Sequence, residues 1–165
     1  MPRPRRSARV LVFDDAGRVL LIRYAAQRAS GEFLCWLTPG GEIEAGESPL
    51  QAACRELREE LELDGVVVTG PIREEQNLLE HEGELRSNTD YFFHTQCAVE
   101  APRLAGVTEL EIRAMREIRW WSAAEIAASA ERFFPVDLVG WMEQVWRRNY
   151  AQAADETRGK LGLRG

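Results

Sequence analysis

Two histidines, His81 and His94, are all that the chain holds, so a histidine-rich metal centre is excluded by count. Cysteine is scarce too: Cys35, Cys54 and Cys97 are an odd number without metal-ligand spacing, which argues against a disulfide framework and leaves reduced, mostly buried thiols as the default. No apolar run approaches the roughly 20 residues that cross a bilayer. The opening Met1-Pro2-Arg3-Pro4-Arg5-Arg6 lacks the hydrophobic stretch of a secretory signal, so a cytoplasmic protein with no membrane partner is expected. Positive charge is in deficit as well. A net charge of −6 argues against nucleic-acid binding, which normally uses a basic face. What is present, 165 residues that are 45% apolar and 29% charged, suffices for one sizeable core and is too little for two ordinary domains.

One segment carries most of the functional information: Gly40-Gly41-Glu42-Ile43-Glu44-Ala45-Gly46-Glu47, followed by Arg55-Glu56-Leu57-Arg58-Glu59-Glu60-Leu61-Glu62-Leu63. Ser48-Pro49-Leu50-Gln51 supplies a capping hydroxyl, a proline at the first helical position and a glutamine at the third, which fixes a helix start. Leu50, Ala53, Cys54, Leu57 and Leu61 recur at helical spacing and predict the packed stripe. Glu56, Glu59 and Glu60 then fall within one turn of one another and are expected to face away from that stripe into a groove. Three carboxylates so placed repel one another unless cations neutralise them. A solvated helix face laced with ion pairs is the competing explanation. The fixed spacing decides against it: a Gly, five residues, a Glu, seven residues, then Arg-Glu-apolar-any-Glu-Glu arises by chance on the order of once in 100,000 chains of this length.

Around this segment, Ala8 to Phe13 and Arg18 to Tyr24 are apolar, β-branched runs flanking Asp14-Asp15-Ala16-Gly17 and predict a β-hairpin. Val66 to Thr69, Tyr91 to Val99 and Ile118 to Trp121 predict further strands. Val136 to Arg148 predicts an amphipathic helix with Val136, Val139, Met142, Val145 and Trp146 inward.

The segment from Gly41 to Leu63 resembles the signature of the Nudix hydrolases, G-x5-E-x7-R-E-U-x-E-E-x-G-U with U aliphatic. It departs at one position, where Glu62 replaces the glycine that helps to end the helix. The helix is therefore expected to run slightly further and stop at Gly65. The resemblance implies an α+β fold, the Nudix α/β/α sandwich with a central mixed sheet and helices on both faces. It would occupy residues 8–150, between a basic N-terminal arm over 1–7 and a polar tail over 151–165. It allows a homodimer.

The implied activity is divalent-metal-dependent hydrolysis of a phosphoanhydride in a nucleotide or nucleoside diphosphate derivative, foremost a nucleoside triphosphate, ordinary or oxidised, giving a monophosphate and diphosphate. Mg2+ or Mn2+ suits carboxylate oxygen. Glu56, Glu59 and Glu60 are the implied ligands with the backbone carbonyl of Gly40, and Glu59 or Glu60 would lie nearest the attacking water. Glu47 and Arg55 are expected to orient these carboxylates through an ion pair. A further acid from a distant loop is common in the family, and Glu111, ahead of the Arg119-Trp120-Trp121 strand, is the candidate. For substrate, Trp36 and Tyr91 offer rings to stack a base, and Arg23 and Arg86 offer charge for phosphate. Glu80, Glu82 and Glu84 are expected in an exposed loop or turn rather than as ligands. Two other functions fit the same resemblance: a ligand-binding or regulatory module without turnover, and an isoprenoid diphosphate isomerase-like enzyme, for which neither Cys35 nor Cys54 presents the pattern.

Overall fold

The computed structural model describes residues 4–28, 30–81, 83–97 and 115–152. Its strands are β1 (Arg5–Phe13), β2 (Val19–Arg28), β3 (Gly31–Leu37), β4 (Gly40–Glu42), β5 (Thr69–His81), β6 (Glu84–Gln96), β7 (Met115–Trp121) and β8 (Phe133–Phe134). The helices are α1 (Pro49–Leu61), α2 (Ala123–Ala128) and α3 (Leu138–Asn149). All eight strands form one mixed sheet in the order β5-β6-β1-β2-β3-β8, with β4 pairing β1 and β7 pairing β2. β1 runs parallel to β6 and β3 parallel to β8; the remaining pairings are antiparallel. No helix among the described residues is long and apolar enough to cross a membrane.

The continuous apolar run Val10-Leu11-Val12-Phe13 is fully buried because both faces of β1 are covered. Successive side chains go to opposite faces. Val10 and Val12 join Leu20, Ile22 and Phe93 beneath Ala53, Leu57 and Leu61 of α1. Leu11 and Phe13 join Leu21, Phe92 and Trp121 beneath Ile126 of α2 and Leu138, Trp141 and Met142 of α3. The expected sandwich, with helices on both faces of a mixed sheet, is the observed one. Trimming a fully buried side chain such as Leu57 to alanine would cost about 2–5 kcal/mol.

Several boundaries differ from expectation. β1 begins at Arg5, so Arg5, Arg6 and Ser7, expected in the basic arm, are strand residues paired with Asn88, Thr89 and Asp90, and residues 1–3 lie outside the described ones. Val66–Val68 precede β5, which starts at Thr69. Of the acidic stretch, Glu80 and Glu84 are exposed strand residues flanking the turn of a long hairpin, with Glu80 opposite Leu85 and His81 opposite Glu84, and Glu82 lies outside the described residues. Beyond Asn88, which pairs with Arg5, β5 and β6 pair only with each other among the described residues. A two-stranded extension of this kind covers no core and needs no apolar alternation. Val136 lies outside α3 and is 82% exposed.

Candidate active site

The site starts with the capping of α1. Gln51 N–H donates to Ser48 Oγ at 3.1 Å while Ser48 N–H donates to the Gln51 side chain at 2.8 Å, and Pro49 occupies the first turn. The buried face of the helix is Ala52, Ala53, Leu57, Glu60 and Leu61. It is rotated from the predicted stripe, which leaves Leu50 and Cys54 exposed at its rim. The same rotation buries Glu60, whereas Glu59, its neighbour, keeps 51% of its side chain exposed.

At its other end the helix stops at Leu61, not at Gly65. Glu62 caps it in the left-handed conformation, φ 54° and ψ 26°, with its N–H donating to Arg58 O. Glu62 thus takes the conformation that the signature's glycine adopts cheaply, and it does so with a Cβ.

Gly40 and Gly41 bring backbone against the carboxylates. They lie in β4, opposite Arg9 and Ala8 of β1. A Cβ on Gly41 would collide with the Glu56 carboxylate, lying 2.6 Å from its Cδ. Gly40 has φ +148°, and a Cβ there would run into Ala8 O and come within 2.9 Å of Arg9 Cα. No other residue type fits this double approach without displacing a strand or the glutamate.

Arg55 is the hub of the acidic face. Its Nε and Nη2 donate to Glu47 Oε2 and Oε1 at 2.7 and 3.0 Å, a bidentate pair, while Nη1 donates to Glu56 Oε1 at 2.9 Å and Glu59 Oε2 at 3.1 Å. A fifth bond runs from Nη2 to Glu42 O at 2.9 Å. The Arg55 hydrogen bond holds the Glu47 carboxyl below its ordinary pKa, and Glu47 in turn holds the guanidinium above its own. Arg55 therefore orients two of the three proposed ligands directly and the loop through Glu47.

Glu60 is held in the opposite sense. Burial raises its pKa above the usual carboxylate range, the adjacent Glu56 adds to this, and the Arg9 charge and a Gly40 N–H bond oppose it. Its Oε2 is buried without a hydrogen-bond partner. Two neighbouring carboxylates, one of them buried with an orphaned oxygen, require a proton or a cation between them. The donor set, carboxylates and a backbone carbonyl, is all hard oxygen and suits Mg2+ or Mn2+. In the arrangement seen here Glu56 and Glu59 lie on Arg55, and among the described residues no three acidic, histidine or thiol groups converge as a ligand cage. Loading a cation would need these two carboxylates to turn from the guanidinium, which keeps Glu47 as its bidentate partner.

The other candidates are dispersed. Trp36 is 2% exposed and packs edge-on against Trp121 at 5.1 Å on the α3 side of the sheet, so no ring face remains for a base. Arg23, opposite Trp36 in β2, lies 3.8 Å from Glu117 and 3.7 Å from Glu131. Arg86 sits on the β5–β6 extension, 3.8 Å from Glu84. Tyr91 is half-buried opposite Ala8, packed on the α1 side with the Arg6 guanidinium 5.2 Å from its ring centre. Glu111 lies outside the described residues. Sequence reasoning passed over Arg9, which donates to Thr38 O at 3.2 Å and Gly40 O at 3.4 Å and faces Asp90 at 3.9 Å. The available signal was a charge interrupting the apolar run from Ala8 to Phe13.

The sequence model of the NUDIX domain matches residues 3–142. Over 69 residues the chain is 39% identical to an RNA pyrophosphohydrolase of Gluconacetobacter diazotrophicus, covering 40% of this chain and 41% of the relative. A protein of the same description from Halorhodospira halophila is 44% identical over 66 residues, 39% of this chain and 33% of the relative. The chain thus aligns with less than half the length of either. The structure of the E. coli dihydroneopterin triphosphate pyrophosphohydrolase superposes with a TM-score of 0.61 at 21% identity, covering 84% of this chain and 92% of that one, a likeness of fold.

Proposed function

The chain belongs to the NUDIX domain family, and on that premise we propose that it is a divalent-metal-dependent hydrolase that cleaves a phosphoanhydride bond in a nucleotide, foremost a nucleoside triphosphate, releasing a monophosphate and diphosphate. The observation that carries the proposal is the Glu56–Glu60 pair against Gly40 and Gly41, with the Glu60 Oε2 buried and unpartnered. Partial similarity to two RNA pyrophosphohydrolases keeps a 5′-triphosphate on RNA among the substrates to be tried.

Glu56, Glu59, Glu60 and the Gly40 carbonyl would hold the cation, Mg2+ or Mn2+. When bound, it supplies charge neutralisation on the phosphoryl oxygens and a water of lowered pKa. Arg55 holds Glu56 and Glu59 on one side of the helix until a cation draws them off, and it keeps Glu47 as its bidentate partner when they turn. Glu59, the most exposed of the three, is the carboxylate best placed to accept a proton from the attacking water. Absence of a Cβ at Gly41 lets the backbone lie against the Glu56 carboxylate.

A product-resolved hydrolysis screen with Mg2+ and Mn2+ tests this over ordinary and oxidised nucleoside triphosphates, nucleoside diphosphate sugars, ADP-ribose, dinucleoside polyphosphates and triphosphorylated RNA. Metal-dependent release of diphosphate from a triphosphate is the expected result. Cleavage elsewhere would keep the hydrolase and replace the substrate. Tight ligand binding without turnover across the panel would replace it with a binding module.

A further inference from the structure

One face of β1 is polar where the strand passes the Gly40 turn. Arg5, Ser7 and Arg9 alternate along β1 and so share one face. The register sets them beside Asn88 and Asp90 of β6, and these beside Asn77 and Glu75 of β5. Ser7 and Asn88 are essentially inaccessible, and Arg9 and Asp90 keep only 16% and 15% of their side chains exposed. Hydrogen bonds run through the group: Ser7 Oγ donates to Asn88 Oδ1 at 3.1 Å and Asn77 Nδ2 to Asp90 Oδ2 at 2.7 Å. The chain of contacts ends at Arg9, whose Nη1 reaches the Gly40 carbonyl.

A polar network at the centre of a sheet is costly compared with the apolar packing of the same strand two residues further on. Arg9 is tethered rather than saturated. Its two carbonyl contacts both use Nη1, and Asp90 at 3.9 Å from Nε is at ion-pair distance without hydrogen-bond geometry. Nε and Nη2 therefore retain donors beside the Gly40 carbonyl. Arg5 stands close enough that the Arg9 charge, after burial, helps to lower its pKa, with Glu42, Asp90 and Glu56 acting the other way. Two guanidinium groups thus stand on the same face of β1 within reach of each other's field.

Resting on the hydrolase reading above, we propose that Arg9, anchored by Asp90, binds a phosphate oxygen of the substrate held at the Glu56–Glu60 site, so that guanidinium and cation grip the same polyphosphate from two sides. The arrangement has a consequence that a scaffold role lacks. Arg9 and a cation at the Gly40 carbonyl repel each other when no anion lies between them, and cooperate when one does.

The test is calorimetric titration of the full chain with Mn2+ alone and with imidodiphosphate in the presence of Mn2+, for the parent, Arg9→Gln, Arg9→Lys and Asp90→Asn, each checked for a cooperative melt. Arg9→Gln is expected to bind imidodiphosphate at least ~10-fold more weakly and Mn2+ alone as tightly as the parent or more so. Arg9→Lys, which keeps charge but loses the fork, should fall between. Equal weakening of both ligands would make Arg9 a strut for the Gly40 turn and overturn the proposal, as would no change in either. Should Arg9→Gln fail to fold, Arg9→Lys and Asp90→Asn carry the same comparison. A parent that binds imidodiphosphate with Mn2+ yet hydrolyses no nucleotide would end the hydrolase reading and leave this assignment standing.

Discussion

Replacing Glu62 by glycine should stabilise the protein, although it removes a side chain from the end of the helix that carries the proposed active site. Glu62 holds φ 54° as the helix cap, a conformation that costs an L-residue with a Cβ about 1–2 kcal/mol. Glycine removes that cost but makes the unfolded chain more flexible, giving back about 0.4–1 kcal/mol. Its side chain is exposed, and losing a negative charge next to a helix C-terminus gains a further few tenths of a kcal/mol. The net is a stabilisation of about 1 kcal/mol, which for a chain of this size raises Tm by about 2–4 °C. Thermal and urea unfolding of the parent, Glu62→Gly and Glu62→Ala would measure it. Alanine keeps the Cβ and loses only the charge, so it should recover only the few-tenths part. Metal-dependent turnover should stay within a few-fold, since the glutamates sit on the turns before the cap. The reasoning fails if Glu62→Gly is neutral or destabilising, or if alanine stabilises as much as glycine.

Other consequences are equally direct. Burial pushes the Glu60 carboxyl up to about 8, so the fold binds this proton more tightly than the unfolded chain does. The stabilisation is complete below the ordinary value of 4.5 and is lost as pH rises through about 8. Metal-free protein should therefore lose a few degrees of Tm between about pH 5 and about pH 8.5, Mg2+ should restore them at the upper end, and Glu60→Gln should flatten both responses; a parent melt independent of pH and metal would refute this. Gly41→Ala forces a methyl into the Glu56 carboxylate and should weaken Mn2+ binding at least ~10-fold with the fold intact, as read by titration. Trp36→Ala should cost about 3–5 kcal/mol in urea unfolding while leaving the choice among substrates unchanged; altered selectivity would put the indole back at the site.

The site was more legible than its surroundings because its causes are local. Ser48, Pro49 and Gln51 start the helix through neighbours three residues away, and the spacing of Glu56, Glu59 and Glu60 puts them within one turn, whereas packing of the helix decides that Glu60 is buried and Glu59 exposed. Register is not local. Trp36 stands a few residues before Gly40 in the chain, yet the pleat turns its indole to the α3 side, where Trp121 closes over it. Arg5 and Arg6 have the composition of a solvated arm, and only pairing with Asn88 and Thr89, distant in sequence, makes them strand. The β5–β6 extension lacks the alternation that a covering core imposes, so the turn at its tip is legible in the acidic stretch and the strands leading to it are not. At Glu62 the opposite error arose: side-chain preference suggested a longer helix, while the chain kept the turn and accepted a left-handed glutamate.

The central claim is that Glu56, Glu59 and Glu60 form a cation-dependent hydrolytic site, and single-turnover hydrolysis by the parent and Glu59→Gln, on the best substrate from the screen at saturating Mg2+, tests it most directly. The account predicts no turnover by the parent without divalent cation and a fall of at least ~100-fold in the variant, with its melting temperature retained. Turnover by Glu59→Gln at close to the parent rate, or by the parent with all divalent cation chelated, would contradict it.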